Sequence, residues 1–247
     1  MPDIKITGRR PVIEALEAKL PLKEVFIAAG SEGRIIEKIE ALARKNRVSL
    51  RKIRREHFQR MADQNSQGVC AFMRPLPTKD IDALLASLED VKNPALALLD
   101  GIEDPRNLGA ILRVADGAGV DSVLIPTRRS ASLTPGAIKT SAGAAFHVPV
   151  TEVASIARAI DRLKKNGFVI VGTDSGQDDK PWDVDLNRPV AFVFGKEGKG
   201  MSSFIRGKCD VLVSLPMLGK IDSLNVSTAA AAFFYEMARQ RAGSSDE

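Results

Sequence analysis

The sequence predicts an α/β protein with a small N-terminal α/β domain at residues 1–74 and a larger C-terminal domain at 94–247, joined by a connection at 75–93. Three observations carry this prediction. Short apolar runs alternate with helical patterns, which is typical of a mostly parallel sheet with helices on both faces. Pro75 and Pro77 interrupt the pattern between the two units. With 44% hydrophobic and 27% charged residues, the chain has ample material for a core.

The N-terminal unit is predicted to contain two helices and three strands. A helix opens in the segment GRRPVIEAL, where Pro11 suits the first turn, and the strand KEVFIA follows. A second helix is predicted from about Ser31, which could act as its N-cap. The segments VSLRKI and VCAFM have the composition of strands, and a short helix near 81–88 lies in the connection.

The C-terminal unit is predicted to contain five strands separated by helical segments. The strands are ALALLD, SVLIP, FVIVGTD, VAFVFG and VLVSLP. One helix is predicted to start at about Arg106 and a last one to span 222–240, with RAGSSDE as a frayed tail. Ligands of open parallel sheets bind beyond the carboxyl ends of strands. The loops after Leu99, Thr173, Gly195 and Leu215 are therefore the places where we expect a site.

Composition excludes several kinds of chemistry. The chain has two histidines and two cysteines, His57, His147, Cys70 and Cys209, and their spacing fits no zinc site, so we expect no metal. Neither histidine accompanies a nucleophile turn of the G-x-S-x-G type. Two cysteines do not make a disulfide framework, and no signal segment opens the sequence, which favours a reducing cytoplasm. The apolar runs are shorter than the roughly 20 residues that a membrane span needs.

The positive charge is concentrated in the first third of the chain. The net charge is +5; residues 1–93 hold 18 Lys and Arg against 13 Asp and Glu, whereas 94–247 hold 18 of each. Between Arg44 and Arg60 there are eight basic residues and one acidic residue, Glu56. A basic stretch of this kind either binds a polyanion or is a solvated surface, and charge alone leaves both open.

Two loops combine a strand end with residues that could bind a ligand. VAFVFGKEGKGMSS is a glycine-rich turn, but Met201 stands where a Walker A lysine belongs and Ser203 where a dinucleotide glycine belongs. A tight turn and a ligand loop both stay open, with Glu197 as a turn acceptor or a site residue. SLPMLGKIDSLNVSTAAAAFFYE leads into a helix predicted to begin near Asp222 or Ser223.

A third segment, LDGIEDPRNLGAILRVADGAG, places two arginines on one face of a helix. Arg106 and Arg113 are seven residues apart, and the small residues Gly109, Ala110 and Gly117 lie beside them. The pair could hold a bulky anion because arginine binds phosphate through two hydrogen bonds. The alternative is a pair of solvated surface charges.

Taken together, these segments resemble the SpoU/TrmH family of RNA 2′-O-ribose methyltransferases, within the SPOUT superfamily. The family's three motifs occur in order as NLGAILR at 107–113, FGKEGKGM at 194–201 and LPMLGKIDSLNVS at 215–227, and SAGAAFHVPV at 141–150 is also similar. GRRPVIEAL resembles the opening of the RNA-binding domain in the ribosomal-RNA guanosine branch. Two positions depart from the pattern: Ser66, where that branch commonly has histidine, and Lys196, where many relatives have a small or uncharged residue.

The resemblance implies transfer of a methyl group from S-adenosyl-L-methionine to a ribose hydroxyl of RNA, foremost a guanosine of 23S ribosomal RNA. It also implies a C-terminal trefoil knot and a homodimer with the helix at 222–240 near the subunit contact. Three alternatives stay open: a transfer-RNA target, a ribosomal target of the antibiotic-resistance type, and a non-catalytic RNA-binding or ribosome-assembly factor.

The resemblance further implies roles for individual residues. The family's catalytic arginine either holds the adjacent phosphate or serves as a substrate-assisted base. Because arginine normally stays protonated, we expect positioning and electrostatic activation to be its main role. The implied catalytic residues are Arg113, Asn107, Glu197, Ser223 and Asn225. The implied cofactor-binding residues are Thr173, Gly195, Leu215, Met217, Gly219, Leu224 and Asn225. The residues expected to bind RNA are Arg9, Arg10, Arg44, Arg47, Arg51, Arg54, Arg55 and Arg106.

Overall fold

The computed structural model describes residues 3–62, 66–74, 80–128, 130–196, 198 and 200–243 of the 247-residue chain. The described chain forms a four-stranded sheet from its N-terminal part and a six-stranded sheet from its C-terminal part. Helices cover both sheets. The predicted class, α/β with a mostly parallel C-terminal sheet, is confirmed.

The N-terminal sheet is mixed, with strand order β1-β4-β2-β3. Strand β3 runs parallel to β2 at one edge, while β4 is antiparallel to both β1 and β2. The elements are β1 Ile4–Thr7, α1 Arg9–Glu17, β2 Leu22–Ala28, α2 Arg34–Lys45, β3 Ser49–Ile53, α3 Arg55–Met61 and β4 Val69–Met73.

The N-terminal elements differ from the predicted ones in three places. Strand β1 and helix α3 were not predicted, because four and seven residues are too few for a clear period. The prediction of Ser31 as an N-cap is wrong: α2 begins at Arg34, after Gly33 with φ 107°. The Ser31 amide instead donates to the Ala28 carbonyl at 3.1 Å, closing a turn after β2.

The C-terminal sheet contains six parallel strands in the order β10-β8-β9-β5-β6-β7. Strand β7, which the local pattern does not predict, lies at one edge. The elements are α4 Ile81–Ala86, β5 Ala95–Leu99, α5 Pro105–Ala118, β6 Ser122–Pro126, α6 Pro135–Thr140, β7 Val150–Val153, α7 Ile156–Lys165, β8 Val169–Thr173, β9 Val190–Phe194, α8 Ser203–Arg206, β10 Val211–Val213 and α9 Val226–Gly243.

The central strands are buried on both faces, which explains their continuous apolar sequences. Every residue of β5 and β9 is buried. Successive side chains alternate between faces, so Ala97 belongs to the core under α5 and α9, whereas Leu96 and Leu98 belong to a second core under α4 and α7. This two-faced burial confirms the predicted layers.

Helix α9 is anchored by a cluster of four phenylalanines. Phe192 and Phe194 of β9 pack against Phe233 and Phe234 of α9, with ring centroids 5.6 to 6.2 Å apart. Such aromatic pairs stabilise a core beyond the area they bury. Both phenylalanines of α9 are therefore part of the core.

The predicted bounds of the last helix, 222–240, are wrong at both ends. The helix starts at Val226 and includes residues 241–243 of the predicted tail; 244–247 lie outside the described residues. Its last turn is held by Arg241, whose Nε donates to the Leu186 carbonyl at 3.2 Å. The apolar core and this hydrogen bond extend the helix beyond residue 240, where the helical pattern of the sequence weakens.

Two organisational expectations stay predictions. The first is the trefoil knot, because strand order and register do not describe how the chain threads through itself. The boundaries at 74 and 93 are the other: Pro75 and Pro77 lie outside the described residues, and Leu84 of α4 packs into the second core of the larger sheet.

Within the described ranges, no helix is long and apolar enough to cross a bilayer.

Candidate functional site

A cleft of about 900 Å³ opens at the carboxyl edge of the larger sheet. Its walls are the loops that follow β8, β9 and β10, together with the start of α9. Phe194, Val213 and Phe233 form apolar parts of its lining. The prediction that a site lies beyond Thr173, Gly195 and Leu215 therefore coincides with a cleft of a size typical for a small-molecule ligand. Leu99 does not line it among the described residues.

The loop after β9 is a tight hairpin that leaves no room for a side chain at its base. A Cβ on Gly195 would lie 2.3 Å from the backbone carbon of Gly200 and the amide nitrogen of Met201. The backbones of Lys196 and Gly200 exchange two hydrogen bonds of 3.1 and 2.8 Å. Gly198 and Gly200 have φ values of 74° and 63°, which favour glycine. Glu197, a predicted catalytic residue, lies outside the described residues.

Most of the predicted cofactor-binding residues meet at this cleft. Thr173, Gly195, Leu215, Met217, Gly219 and Leu224 all line it. The Thr173 hydroxyl donates to the Val193 carbonyl at 3.0 Å, so this side chain is used within the sheet. Asn225 does not line the cleft among the described residues, although Leu224 and Val226 on either side of it do.

Asn225 joins two of the three sequence motifs. Its Nδ2 donates to Oδ1 of Asn107 at 3.1 Å, across 118 positions of sequence. Its Oδ1 accepts from the amide and the hydroxyl of Ser227 at 2.9 and 2.6 Å, which caps the start of α9. Helix α9 therefore begins after Asn225, and the predicted start near Asp222 or Ser223 is wrong. Ser223 is exposed, and its hydroxyl lies 3.3 Å from the Asp222 carboxylate.

The two arginines of α5 have different surroundings. Arg106 is paired with Asp104, the N-cap of the helix, through contacts of 3.1 to 3.3 Å. This hydrogen bonding lowers the pKa of the Asp104 carboxyl and raises the pKa of the Arg106 guanidinium. Arg113 is exposed, makes no hydrogen bond or ion pair with any described residue, and does not line the cleft of its own chain.

The small residues of α5 serve helix packing, which corrects the expectation that they border an anion site. A Cβ on Gly109 would lie 2.3 Å from the Ala137 carbonyl of α6. A Cβ on Gly117 would lie 2.9 Å from the Tyr235 hydroxyl of α9. Both glycines therefore allow close approach of a neighbouring helix. Because Arg113 and Gly117 are four residues apart, Arg113 lies on the same helix face as the contact with Tyr235.

Sequence reasoning missed one buried carboxylate in the cleft. Asp174 follows β8, its side chain is 11% exposed, and it lines the cleft. Its Oδ1 accepts from the Ser175 amide at 3.1 Å, and its Oδ2 lies 2.8 Å from the Arg206 guanidinium as an ion pair. The position of this loop at a strand end predicts a ligand site here, but the predicted site residues include Thr173 and not its neighbour Asp174.

The basic residues predicted to bind RNA lie mainly around β3, at the edge of the small sheet. Arg44, Arg47, Arg51, Arg54 and Arg55 are all exposed. Arg51 forms an ion pair of 2.7 Å with Glu24 of the neighbouring strand. These arginines thus lie on or next to the edge strand of the small sheet, and their RNA contacts stay predictions.

Helix α1 contacts the segment next to Ser66, one of the two positions that depart from the family pattern. Arg9 is half-buried and donates from Nε to the Gln67 carbonyl at 3.1 Å, whereas Arg10 is exposed. Ser66 is buried, with 4% of its surface exposed. Arg9 therefore holds the segment next to Ser66 in place, and Arg10 is the more available cation.

Neither cysteine is activated for chemistry. Burial raises the pKa of the Cys70 thiol to about 11, and the same cause raises the pKa of Cys209 to about 11. A reactive cysteine has a lowered pKa instead. Among the described residues, no three His, Cys, Asp or Glu side chains cluster so as to hold a metal ion.

This arrangement defines a two-domain protein with a strand-edge ligand cleft and a separate basic domain. The model of the SpoU rRNA Methylase family matches residues 94–235, and that of the RNA 2′-O ribose methyltransferase substrate-binding domain matches residues 5–79. The chain belongs to the SpoU/TrmH family of RNA methyltransferases. It is 38% identical over 242 residues to a putative TrmH family tRNA/rRNA methyltransferase of Staphylococcus saprophyticus, covering 98% of this chain and 97% of the relative.

Solved structures of the family superpose on all or part of the chain. The SpoU methyltransferase AviRb from Streptomyces viridochromogenes, in complex with AdoMet, has a TM-score of 0.84 at 27% identity, covering 97% of this chain and 91% of its own. A TrmH/SpoU tRNA modifying enzyme from A. aeolicus has a TM-score of 0.57 at 28% identity, covering 67% of this chain and 84% of its own.

Proposed function

We propose that this protein transfers the methyl group of S-adenosyl-L-methionine to the 2′-hydroxyl of a ribose in RNA, with a guanosine of 23S ribosomal RNA as its target. The observation that carries the proposal is the cleft at the carboxyl edge of the larger sheet, where the loops of two motifs, FGKEGKGM and LPMLGKIDSLNVS, form the walls. The AdoMet-bound AviRb structure, similar over the whole chain, supports the same cofactor.

The cleft has the chemistry that this cofactor requires. Apolar side chains, among them Phe194, Leu215 and Phe233, offer a surface for an adenine ring. Asp174 offers a nearly buried carboxylate to hydroxyl or ammonium donors. Gly195 lets the two sides of the hairpin close tightly against each other, which shapes this wall of the cleft. When bound, S-adenosyl-L-methionine supplies an electrophilic methyl group on a sulfonium ion.

We infer that Thr173, Gly195 and Leu215 hold the cofactor mainly through backbone atoms, with Met217, Gly219 and Leu224 closing the cleft from the other side. Asn225 fixes this second wall by capping α9 and by its hydrogen bond to Asn107. Asn107 then lies where α5 meets the cofactor loops. Ser223 and Glu197 complete the polar group that orients the ribose hydroxyl.

Arg113 is proposed to hold the phosphate next to the target ribose and to favour loss of the hydroxyl proton by its positive charge. A ribose hydroxyl is a poor nucleophile at neutral pH, so alignment and electrostatic support are the main tasks of the site. Arg113 makes no hydrogen bond or ion pair with any described residue and is exposed, so its guanidinium is available to a phosphate.

A homodimer explains how Arg113 reaches a cleft that it does not line in its own chain. The loop between β10 and α9 exposes Leu218 and Ile221, which are 96% and 71% exposed, and Tyr235 of α9 is 54% exposed. Exposed apolar patches of this kind often mark protein interfaces. We propose that a second copy covers this surface, so that Arg113 of one protomer faces the cleft of the other.

The N-terminal domain is proposed to dock the RNA. Its exposed arginines around β3 provide phosphate contacts, and Arg106 on α5 is a further exposed cation that we propose for RNA binding. Replacing Arg47, Arg54 and Arg55 together by alanine should weaken RNA binding and reduce its salt dependence. Binding of S-adenosyl-L-methionine should be unchanged. Equal RNA affinity before and after the replacement would contradict the docking role.

The function is tested by mapping 2′-O-methyl groups in the RNA of a deletion strain that lacks the gene. We expect one ribosomal guanosine to lose its methyl group, to regain it with the wild-type gene and to stay unmodified with Arg113→Ala. A transfer-RNA site that behaves in this way would replace the ribosomal target. No lost site, together with no binding of S-adenosyl-L-methionine in calorimetry, would favour the non-catalytic assembly factor.

A further inference from the structure

We propose that Lys196 binds a backbone phosphate of the RNA beside the target ribose, and that Glu103 holds the lysine ammonium group in place until RNA arrives. This inference rests on the proposed function as an RNA methyltransferase. It assigns a role to a position where the sequence departs from the family pattern.

Lys196 lies between the two parts of the site. It follows Gly195 directly and lines the cleft. Its Nζ lies 3.0 Å from Oε1 of Glu103, in the turn just before α5 and four residues before Asn107. The ammonium group is therefore at the edge where the cofactor loops face the proposed substrate side.

The backbone of the turn before α5 provides a place for the lysine stem. Gly101 has a φ of 79°, and a Cβ there would lie 2.3 Å from Cε and 3.0 Å from Cγ of Lys196. The aliphatic stem therefore crosses directly over Gly101, and a Cβ at this position would force the lysine side chain to move. The charged end stays accessible, because the side chains of Lys196 and Glu103 are 47% and 62% exposed.

The ion pair between Lys196 and Glu103 contributes too little to stability for its role to be structural. Exposed Lys–Glu pairs contribute only about 0 to 1 kcal/mol to stability, so an incoming phosphate can readily replace the carboxylate. A lysine ammonium is a compact point charge suited to phosphate. Lys180, another cation of the cleft, already donates to the Gln177 carbonyl and the Ser214 hydroxyl at 2.6 and 3.0 Å.

Opposite effects are expected for the two members of the pair. Lys196→Met should raise the KM for RNA about five- to tenfold at low salt and lower the slope of log KM against log salt concentration by about 1. Lys196→Arg should keep most of the RNA affinity. Glu103→Gln should leave the KM for RNA unchanged or lower it, because it removes the carboxylate that competes with phosphate.

A matched control is Lys208→Met. Lys208 is also paired with a carboxylate, that of Asp161 at 2.5 Å, but does not line the cleft, so the same loss of charge should leave the salt slope unchanged. The Kd for S-adenosyl-L-methionine, measured by calorimetry, should be the same in the wild type and in both Lys196 variants.

Three results would overturn the inference. An equal increase of the KM for RNA in Lys196→Met and in Glu103→Gln would show that the ion pair only holds the two loops together. A weaker Kd for S-adenosyl-L-methionine in Lys196→Met would assign the lysine to the cofactor carboxylate. An unchanged salt slope would show that no phosphate contact is lost. A wild-type protein without cofactor binding or RNA methylation would instead refute the proposed function itself.

Discussion

Gly195→Ala tests whether the hairpin after β9 is the wall that holds the cofactor. The new methyl group would lie 2.3 Å from two backbone atoms, the carbonyl carbon of Gly200 and the nitrogen of Met201, and 2.6 Å from the Gly200 oxygen. None of these atoms belongs to a flexible side chain. The crossing strand of the hairpin must therefore move as a unit.

The size of the effect follows from these distances. Carbon contacts are favourable at about 3.5 to 4.0 Å, so the hairpin must shift by about 1 Å. A shift of that size breaks or stretches the two hydrogen bonds between Lys196 and Gly200, each worth about 1 kcal/mol. Misplacement by about 1 Å in an active site can lower turnover by about 100-fold. We therefore expect a large loss of cofactor binding and activity with only about 2 kcal/mol lost in stability.

The assay is calorimetric titration with S-adenosyl-L-methionine, with urea unfolding and hydrogen exchange of residues 196–201 measured in parallel. The matched control is Gly207→Ala, twelve residues downstream, because a Cβ there lies 3.5 Å from its nearest neighbour and meets only ordinary contacts. Gly207→Ala should bind the cofactor as the wild type does. Wild-type affinity in Gly195→Ala, with unchanged exchange in the hairpin, would refute the reasoning.

Three further predictions concern the helix cap, the core and the thiols. Asn225→Ala removes the cap of α9 and the hydrogen bond to Asn107, so the free energy of unfolding in urea should fall by about 1–2 kcal/mol; no change would contradict the capping role. Phe234→Ala, at a fully buried ring, should cost about 3–5 kcal/mol in the same measurement, and a cost below that of the cap variant would contradict the aromatic anchor. Because burial raises the thiol pKa of Cys70 from 9.0 to about 11, the folded state retains a proton that the unfolded state releases above pH 9. The contribution of the protonated thiol to the free energy of unfolding is therefore complete below pH 9 and is lost as pH rises from 9 to about 11. Cys70→Ala lacks this thiol, so its urea midpoint should decline less than that of the wild type over the same pH range.

Much of the fold could be predicted from local patterns. Apolar runs such as ALALL and VAFVF are continuous because β5 and β9 are buried on both faces, and this burial is visible in the residues themselves. The short strands β1 and β7 were missed, because each has only four residues and depends on pairing with a distant strand. Local periodicity carries no information about such partners.

The sequence by itself determined the layered α/β class, the division of charge between the two halves, and the strand ends at which the cleft lies. Tertiary structure decided how residues far apart in the chain are used. It placed Gly109 and Gly117 at helix contacts and left Arg113 outside the cleft of its own chain. It also paired Lys196 with Glu103 and Asn225 with Asn107. The physical reason is that a residue's own neighbours in sequence govern its strand or helix, whereas the order of strands in the sheet governs which loops meet.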